Sequence, residues 1–312
     1  MRIVCDAHIP FLLEAVQKAW PQVEIYPMKP EEIDAEAVKK ADVLIVRTRT
    51  KVNEALLVGS HVQLVCTATI GFDHIDTAYC ESHGIRWMSC PGCNAQAVCD
   101  YIEEALQETK AQGTIGIVGV GHVGSLVAKM AERRGMKVLL NDTPKGIGVS
   151  LDDIAQNCDI ITFHVPLDKT TYHLCDKALL NQCKPNALII NAARGGVVDE
   201  QALLRSGHPF ILDTWENEPN IHPEVLANAQ LASMHIAGYS VEGKRNASQM
   251  CLDAIAGQFN LPKIDISRSR GLDISNEKGD SASGWISRIS DQLKADPTAF
   301  ETLRKAYPLR GV

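Results

Sequence analysis

Three polar residues, Arg194, Glu218 and His235, stand in separate motifs of the second half of the chain: N-A-A-R-G-G, D-T-W-E-N-E-P and H-I-A-G-Y. Arginine offers a planar, permanently charged fork that matches a carboxylate. Histidine exchanges a proton near neutral pH, and a glutamate beside it would orient the imidazole and stabilise its charged form. Together these residues could hold a 2-hydroxy acid, remove its hydroxyl proton and let the C2 hydride pass to a nicotinamide.

Each of the three residues also has a structural interpretation. Arg194 could pair with a surface acid, Glu218 could be a solvated loop carboxylate, and a single histidine such as His235 is more often structural than catalytic. The catalytic interpretation is favoured because each residue follows a successive predicted strand. Open α/β sheets bind ligands at the carboxyl ends of their strands.

A glycine-rich stretch, Thr114 to Gly124, reads T-I-G-I-V-G-V-G-H-V-G and predicts a strand that turns sharply into a helix from Ser125 to Arg134. In this pattern Gly119 permits the turn, Gly121 lets the backbone approach a pyrophosphate, and Gly124 lets the helix lie against the strand. The N–H groups that begin the helix would face the phosphate charge. The alternative is a plain strand–helix turn.

A second predicted strand, Lys137 to Asn141, closes this unit and is followed by Asp142. A carboxylate there would accept hydrogen bonds from the adenosine ribose hydroxyls and would repel the 2′-phosphate of NADP, so the pattern favours NAD as the cofactor. The alternative is that Asp142, before Thr143-Pro144, only starts a turn.

Strands and helices alternate on both sides of the glycine-rich stretch. This alternation predicts an α/β fold of two doubly wound parallel-sheet domains, Rossmann- and flavodoxin-like, with a cleft between them and a short C-terminal helical extension. We expect residues 1–93 and 238–260 to bind the substrate and residues 94–237 to bind NAD. Residues 261–312 would form the extension, with Lys263 to Gly284 as a linker. Two short amphipathic helices near Trp285 and Phe300 would pack on the body or on a second subunit.

Composition excludes several classes of protein. The 312 residues are 45% hydrophobic and 22% charged, as in ordinary globular proteins, and a net charge of −7 argues against broad nucleic-acid binding. No apolar run reaches the roughly 18 residues of a membrane span, and the N-terminus reads as a strand and not as a secretory signal. Ten scattered cysteines suggest reduced thiols and a cytoplasmic location.

One cysteine pair, Cys90-Pro91-Gly92-Cys93, has the spacing of redox and zinc sites. A zinc site would need a second pair nearby, which the sequence lacks. We therefore expect no metal, and the plainer interpretation is a Pro-Gly turn before a helix that Asn94 could cap.

Over residues 1 to about 260, these motifs resemble the D-isomer-specific 2-hydroxyacid dehydrogenases. The resemblance implies that Arg194, Glu218 and His235 are catalytic and that Asp142 binds the cofactor ribose. It also implies a set of residues that line the NAD site: Gly119, Gly121, His122, Val123, Gly124, Val165, Ala192, Ala193, Arg194, Asp213 and Gly238.

Four further motifs resemble one branch of that family, whose substrate is a phosphorylated 2-hydroxy acid. These are V-R-T-R-T-K-V-N-E from Val46, T-A-T-I-G-F-D-H-I-D from Thr67, P-G-C-N-A from Pro91 and H-I-A-G-Y-S-V-E-G-K from His235. The resemblance implies substrate contacts by Thr48, Thr69 and Tyr239, with Arg47 near them.

The basic residues beside Thr48 are Arg47, Arg49 and Lys51, which suit a doubly anionic acid. They could instead form a solvated face. The tail beyond residue 260 is shorter than the dimerisation domain usual for the branch. A homodimer is still expected, with its mode of dimerisation open.

The expected activity is NAD-dependent oxidation of a small phosphorylated 2-hydroxy acid. Within the enzymes, the alternative is another 2-hydroxy acid, such as 3-phosphoglycerate, or the reduction of glyoxylate or hydroxypyruvate. Outside them, the alternative is a non-catalytic NADH-sensing module on the same fold.

Overall fold

The computed structural model describes residues 1–267 and 284–311, which divide into two compact units. Described residues 1–94, 240–267 and 311 belong to the first unit, and residues 95–239 and 284–310 belong to the second. The C-terminal residues, expected as a separate extension from residue 261, are therefore shared between the two units. Most of the linker expected from Lys263 to Gly284 lies outside the described residues.

The strands carry one numbering in chain order. They are β1 Arg2–Asp6, β2 Glu24–Met28, β3 Val43–Val46, β4 Leu64–Thr67, β5 Arg86–Met88, β6 Thr114–Val118, β7 Lys137–Asp142, β8 Ile147–Gly148, β9 Ile160–Phe163, β10 Leu188–Asn191, β11 Phe210–Leu212 and β12 Leu231–Ala232.

The α-helices are numbered in the same way. They are α1 Leu12–Ala19, α2 Ala35–Val38, α3 Glu54–Leu57, α4 Thr77–Ser82, α5 Ala95–Glu108, α6 His122–Arg133, α7 Leu151–Asn157, α8 Lys177–Leu180, α9 Glu200–Ser206, α10 Pro223–Asn228, α11 Val241–Phe259, α12 Trp285–Ala295 and α13 Phe300–Ala306.

The first unit is built on a parallel sheet in the order β2-β1-β3-β4-β5, the flavodoxin-like order. Its central strands are apolar along their whole length: β3 reads V-L-I-V, and all four residues are buried. Strands that are apolar on both faces are typical of parallel sheets, because helices cover both sides. The expected pattern of a doubly wound sheet is therefore present in this unit.

The second unit contains a seven-stranded sheet in the order β12-β11-β10-β9-β6-β7-β8. All pairs are parallel except β7 with β8, a short antiparallel edge that the sequence pattern did not predict. Strands β9, β10 and β11 are neighbours, so the loops that follow them lie along one edge of the sheet. The predicted α/β class with two parallel-sheet units and C-terminal helices is confirmed.

Helix α6 begins at His122, three residues before the predicted start at Ser125. The cause is that Gly121 occupies the N-cap position, so Gly124 lies inside the first turn of the helix. Several other helices begin at side chains that accept a backbone N–H, among them Asp176 for α8 and Asp199 for α9. Among the described residues, no helix has both the length and the apolar character that a membrane crossing needs.

Candidate active site

The turn between β6 and α6 is shaped by its glycines. Gly119 has φ 93°, and a Cβ at Gly124 would lie 1.9 Å from the Gly119 carbonyl oxygen, so neither position accepts a side chain. By contrast, a Cβ at Gly121 would meet no atom within 4 Å. The start of α6 thus faces open space at Gly121, with exposed His122 and half-buried Val123 next to it. This arrangement fits a pyrophosphate held by the first N–H groups of the helix.

Asp142 ends β7 next to this turn, and its side chain is almost fully buried. Its Oδ2 accepts the backbone N–H of Val120 at 2.9 Å and lies 3.0 Å from the Lys145 ammonium. Burial opposes ionisation of Asp142, but these two partners outweigh it and lower the pKa. The carboxylate is therefore ionised, as an acceptor for ribose hydroxyls must be.

The other residues expected to line the NAD site follow neighbouring strands. Val165 comes two residues after β9, Ala192 and Ala193 follow β10 directly, and Asp213 follows β11. Because β9, β10 and β11 are parallel neighbours, these residues lie along one edge of the sheet. Together with the glycine turn and Asp142, their placement suits a dinucleotide.

Glu218 and His235 form a hydrogen-bonded pair within the second unit. The imidazole Nδ1 lies 2.8 Å from Glu218 Oε2, and Glu218 Oε1 accepts the backbone N–H of Trp215 at 2.9 Å. Burial raises the pKa of Glu218, but the hydrogen bond and charge of His235 outweigh it, so the pKa is lowered overall. An ionised carboxylate can only accept, so the Nδ1 hydrogen points to Glu218. Nε2 is left as the basic nitrogen.

The loop that carries His235 is anchored on the buried carboxylate of Asp213. Oδ1 accepts the Ile236 N–H at 2.7 Å and the Ser233 hydroxyl at 2.6 Å, and Oδ2 accepts the Ala237 N–H at 3.0 Å. The Ser233 oxygen lies 2.8 Å from the Tyr101 hydroxyl of α5. Asp213, which the sequence marked only as a cofactor-lining residue, therefore also shapes the histidine loop.

Arg194 follows β10, the neighbour of β11 in the sheet. The Asn191 side chain folds the loop, because it donates to the Arg194 carbonyl at 2.8 Å and accepts the Ala193 N–H at 3.0 Å. The Arg194 guanidinium donates to the Ala193 carbonyl at 2.7 Å. The structure thus places the three expected catalytic residues in one unit and pairs two of them, Glu218 and His235.

The residues expected to contact the substrate are placed in both units. Thr48 is exposed after β3 in the first unit. Thr69, in the same unit, donates from its hydroxyl to the Gly71 carbonyl at 2.9 Å and lies 2.6 Å from the Thr67 hydroxyl. Tyr239, beside Gly238, belongs to the second unit.

Arg47 is already engaged by an acid that the sequence did not reveal. Its Nε lies 2.7 Å from Asp6 Oδ2, and its Nη2 lies 3.3 Å from Asp6 Oδ1. Burial opposes the charge of Asp6, but the Arg47 contacts and those of His8 lower its pKa overall. The charge of Arg47 is therefore balanced by Asp6, and its contact with substrate stays a prediction.

Glu200 is a buried acid that sequence reasoning missed, with 2% of its surface exposed. Its carboxyl accepts the backbone N–H of Glu216 at 2.6 Å, in the loop that leads to Glu218. Burial raises the pKa of Glu200 to about 8, with the carboxylates of Glu216 and Glu218 adding to the effect. No pattern in V-V-D-E-Q-A distinguishes this buried acid from a solvated one.

The Cys90–Cys93 pair is buried in the first unit. Cys90 Sγ lies 3.4 Å from the Ala247 carbonyl oxygen and 3.9 Å from Cys251 Sγ, and burial raises the pKa of Cys93 to about 12. Thiols in such surroundings are poorly reactive. Within residues 1–267 and 284–311, no group of three or more His, Cys, Asp or Glu side chains could hold a metal ion.

Comparisons with known proteins show which sequences this chain resembles. The family profile described as D-isomer specific 2-hydroxyacid dehydrogenase, NAD binding domain, matches residues 96–237. An erythronate-4-phosphate dehydrogenase of Bacteroides fragilis is 44% identical, with 99% of this chain and 97% of the relative aligned. One from Porphyromonas gingivalis is 40% identical, with 99% and 92% aligned.

Solved structures show the same fold. The NAD-bound 3-phosphoglycerate dehydrogenase of Entamoeba histolytica superposes with a TM-score of 0.72 and 25% identity, covering 83% of this chain and 95% of that one. A D-lactate dehydrogenase of Aquifex aeolicus in complex with NAD and lactic acid superposes with a TM-score of 0.69 and 24% identity, with the same coverage. The alignment with the erythronate-4-phosphate dehydrogenases thus extends over nearly the whole chain, whereas the family profile covers only residues 96–237.

Proposed function

We propose that this chain, which belongs to the D-isomer specific 2-hydroxyacid dehydrogenase family, uses NAD to oxidise 4-phospho-D-erythronate at C2. The products are (R)-3-hydroxy-2-oxo-4-phosphobutanoate and NADH, on the route to pyridoxal 5′-phosphate (vitamin B6). Relatives named for this substrate, which align over more than nine-tenths of both chains, support the choice. The pairing of Glu218 with His235 carries the proposal, because it supplies the base that the reaction requires.

In the proposed mechanism, Arg194 holds the substrate carboxylate and His235 removes the hydroxyl proton. Nε2 of His235 accepts the proton, while Nδ1–H remains hydrogen-bonded to Glu218. The Glu218 carboxylate, ionised and partly buried, stabilises the imidazolium that forms. The C2 hydride leaves as the C2–O bond becomes a carbonyl, and bound NAD supplies the hydride acceptor.

Cofactor binding in this proposal uses the groups along one sheet edge. The first N–H groups of α6, next to Gly121, would hold the pyrophosphate, and Asp142 would accept the ribose hydroxyls. Substrate binding is assigned to the hydroxyls of Thr48, Thr69 and Tyr239. These are short polar donors and acceptors suited to an acid rich in oxygen.

The proposed function is tested with purified protein, NAD and a panel of acids, with NADH absorbance as the readout. We expect 4-phospho-D-erythronate to give a higher kcat/KM than 3-phosphoglycerate, and glycolate to give the lowest. Mass spectrometry of the product should show loss of two hydrogens. Turnover of glycolate, the unphosphorylated acid, equal to that of 4-phospho-D-erythronate would contradict the assigned substrate. NADH binding without turnover of any acid would favour a sensing module.

A cytoplasmic homodimer is part of the same proposal. All ten cysteines lie among the described residues and are free thiols, as expected for a reducing compartment. The oligomeric state is tested by light scattering coupled to size exclusion. A monomer at micromolar concentration that retains full activity would contradict the dimer.

A further inference from the structure

The C-terminal helices are built into the second unit. Helix α12 buries Trp285, Ile286, Ile289 and Leu293, and Trp285 packs edge-on against Tyr101 of α5. Its start is held by hydrogen bonds from backbone N–H groups to acids of α5. This segment, which the sequence associated with dimerisation, is thus joined to the helix that precedes the glycine turn.

At its other end, α12 is tied to the edge of the sheet. Ser290 Oγ accepts the backbone N–H of Ala232 in β12 at 3.1 Å, and Lys294 donates to the Ala229 carbonyl at 2.6 Å. Strand β12 leads directly into the loop of His235. The short connection after α12 therefore brings α13 to a fixed place relative to that loop.

From α13, Arg304 reaches Tyr239, which ends the histidine loop. Its Nε–H donates to the Tyr239 hydroxyl oxygen at 3.1 Å, and its guanidinium carbon lies 5.8 Å from the centre of the phenol ring. Both contacts are favourable, since the first is a charge-assisted hydrogen bond and the second a cation–π interaction. Glu301, one turn earlier, lies 3.3 Å from Arg304 Nη1 and helps to orient the guanidinium.

A second observation connects Arg304 with the catalytic pair. Burial raises the pKa of Glu218, the contacts with His235 lower it, and the positive charge of Arg304 lowers it further. The Arg304 side chain is about three-quarters buried, so its charge is only partly screened by solvent. The positive charge of Arg304, on α13, therefore acts on the Glu218–His235 pair of the proposed reaction.

We propose that Arg304 is a positioning residue for the substrate, which acts by fixing the phenol of Tyr239. Arg304 donates in their hydrogen bond and the Tyr239 oxygen accepts, so the phenol is held in one orientation at the end of the histidine loop. This inference rests on the proposed function. It assigns to the C-terminal helices a part in substrate binding in addition to any part in assembly.

The test is a double-mutant cycle with R304Q, Y239F and the combined variant, assayed on 4-phospho-D-erythronate. We expect R304Q to raise KM about ten-fold with a smaller change in kcat, and to leave NADH affinity, measured by fluorescence, unchanged. Y239F should raise KM similarly. If Arg304 acts through Tyr239, the combined variant should be no more than about two-fold worse than Y239F alone.

Two further variants test whether the effect of R304Q comes from lost hydrogen-bond geometry, from lost charge or from a change in the helix. R304K keeps the charge without the planar fork, so its KM should lie between those of R304Q and the unmodified enzyme. K305Q changes an exposed cation on the same helix and should behave like the unmodified enzyme. If R304Q melts much earlier than the unmodified enzyme, the cycle is measured with R304K in its place.

The inference is overturned if R304Q folds and keeps KM within two-fold of the unmodified enzyme, or if the effects of R304Q and Y239F multiply in the combined variant. These outcomes differ from failure of the proposed function, in which the unmodified enzyme does not oxidise 4-phospho-D-erythronate. In that case the cycle is measured with whichever 2-hydroxy acid the unmodified enzyme does oxidise.

Discussion

The backbone N–H of His235 donates to the backbone carbonyl of Asp213 at 2.8 Å, with His235 held at φ 58°. Residues other than glycine rarely adopt this left-handed conformation, and it persists where the surroundings enforce it. Here the Asp213 carboxylate also binds the next two N–H groups of the loop. One aspartate thus fixes the backbone that presents the imidazole of His235, the proposed base.

We expect D213N to lower kcat/KM about ten-fold or more while the protein remains folded. An asparagine side chain has one acceptor oxygen in place of two, so the N–H of Ile236 or Ala237 would lose its partner. A buried donor without a partner costs about 1–3 kcal/mol, and here that energy holds the loop. Initial rates at saturating and at subsaturating NAD measure the effect, and thermal melting reports whether the variant is folded.

The matched control for this change is D152N, an exposed acid in the first turn of α7. It should leave both the rate and the melting temperature as they are. If D213N retained the turnover of the unmodified enzyme, the anchoring role of Asp213 would be wrong.

Replacement of His235, the proposed base, should separate chemistry from cofactor binding. We expect H235A to reduce kcat by at least about 100-fold, the lower range for loss of general base catalysis, with NADH affinity unchanged. Stopped-flow absorbance and a fluorescence titration measure the two quantities. H222A removes an exposed histidine before α10 and should be silent; a comparable loss in both variants would mean that His235 is not the base.

Because Glu200 is a buried acid with a raised pKa, we expect the free energy of unfolding to depend on pH. Its pKa rises from the ordinary 4.5 to about 8 in the folded protein, so the folded state binds more protons than the unfolded state between these values. Stability from this group is therefore complete below about pH 4.5 and is lost as pH rises through about 8. A shift of this size corresponds to a few kcal/mol.

We expect E200Q, a mimic of the protonated acid, to remove this contribution to the pH dependence. The variant should melt at a higher temperature than the unmodified protein at pH 9, and the difference should shrink toward pH 5. Glu224 in α10 is exposed, so E224Q is the control. A difference in melting temperature that is the same at both pH values would show that Glu200 does not titrate in this range.

Cofactor preference should depend on the ion pair of Asp142 with Lys145. We expect D142S to raise the ratio of kcat/KM for NADP to that for NAD at least ten-fold, because the ammonium would then face the 2′-phosphate without the repelling carboxylate. Adding K145A to D142S should reverse most of the gain. An unchanged ratio in D142S would show that Asp142 does not lie near the ribose.

Most strands were predictable from the sequence because each is a short apolar run between polar turns. The strand predicted from Lys137 to Asn141 matches β7, which extends one residue further, to Asp142. Helices α8 and α10 were not predicted. They have four and six residues, too few to show a helical period, and they depend on packing within the second unit.

Arg194, Glu218 and His235 could be singled out from the sequence because each stands in a recognisable motif, whereas their supporting residues do not. Whether Glu200 is buried depends on how the loop before Glu218 folds over it, which no local pattern encodes. Asp6 and Arg47 are 41 positions apart and meet only because β1 and β3 are neighbours. For Arg304 the sequence predicted only an amphipathic helix near Phe300 and did not indicate the contact with Tyr239.

The hydrogen-bonded path from Tyr101 through Ser233 to Asp213 bears on how natural variants of such enzymes should be read. Tyr101 is a buried residue in the interior of α5, so a substitution by phenylalanine would ordinarily be classed as a conservative change in the core. Physically, a phenylalanine would remove the Tyr101 hydroxyl, which donates the first hydrogen bond of the chain that leads through Ser233 and Asp213 to the histidine loop. Variants of this kind belong among candidates for metabolic loss of function.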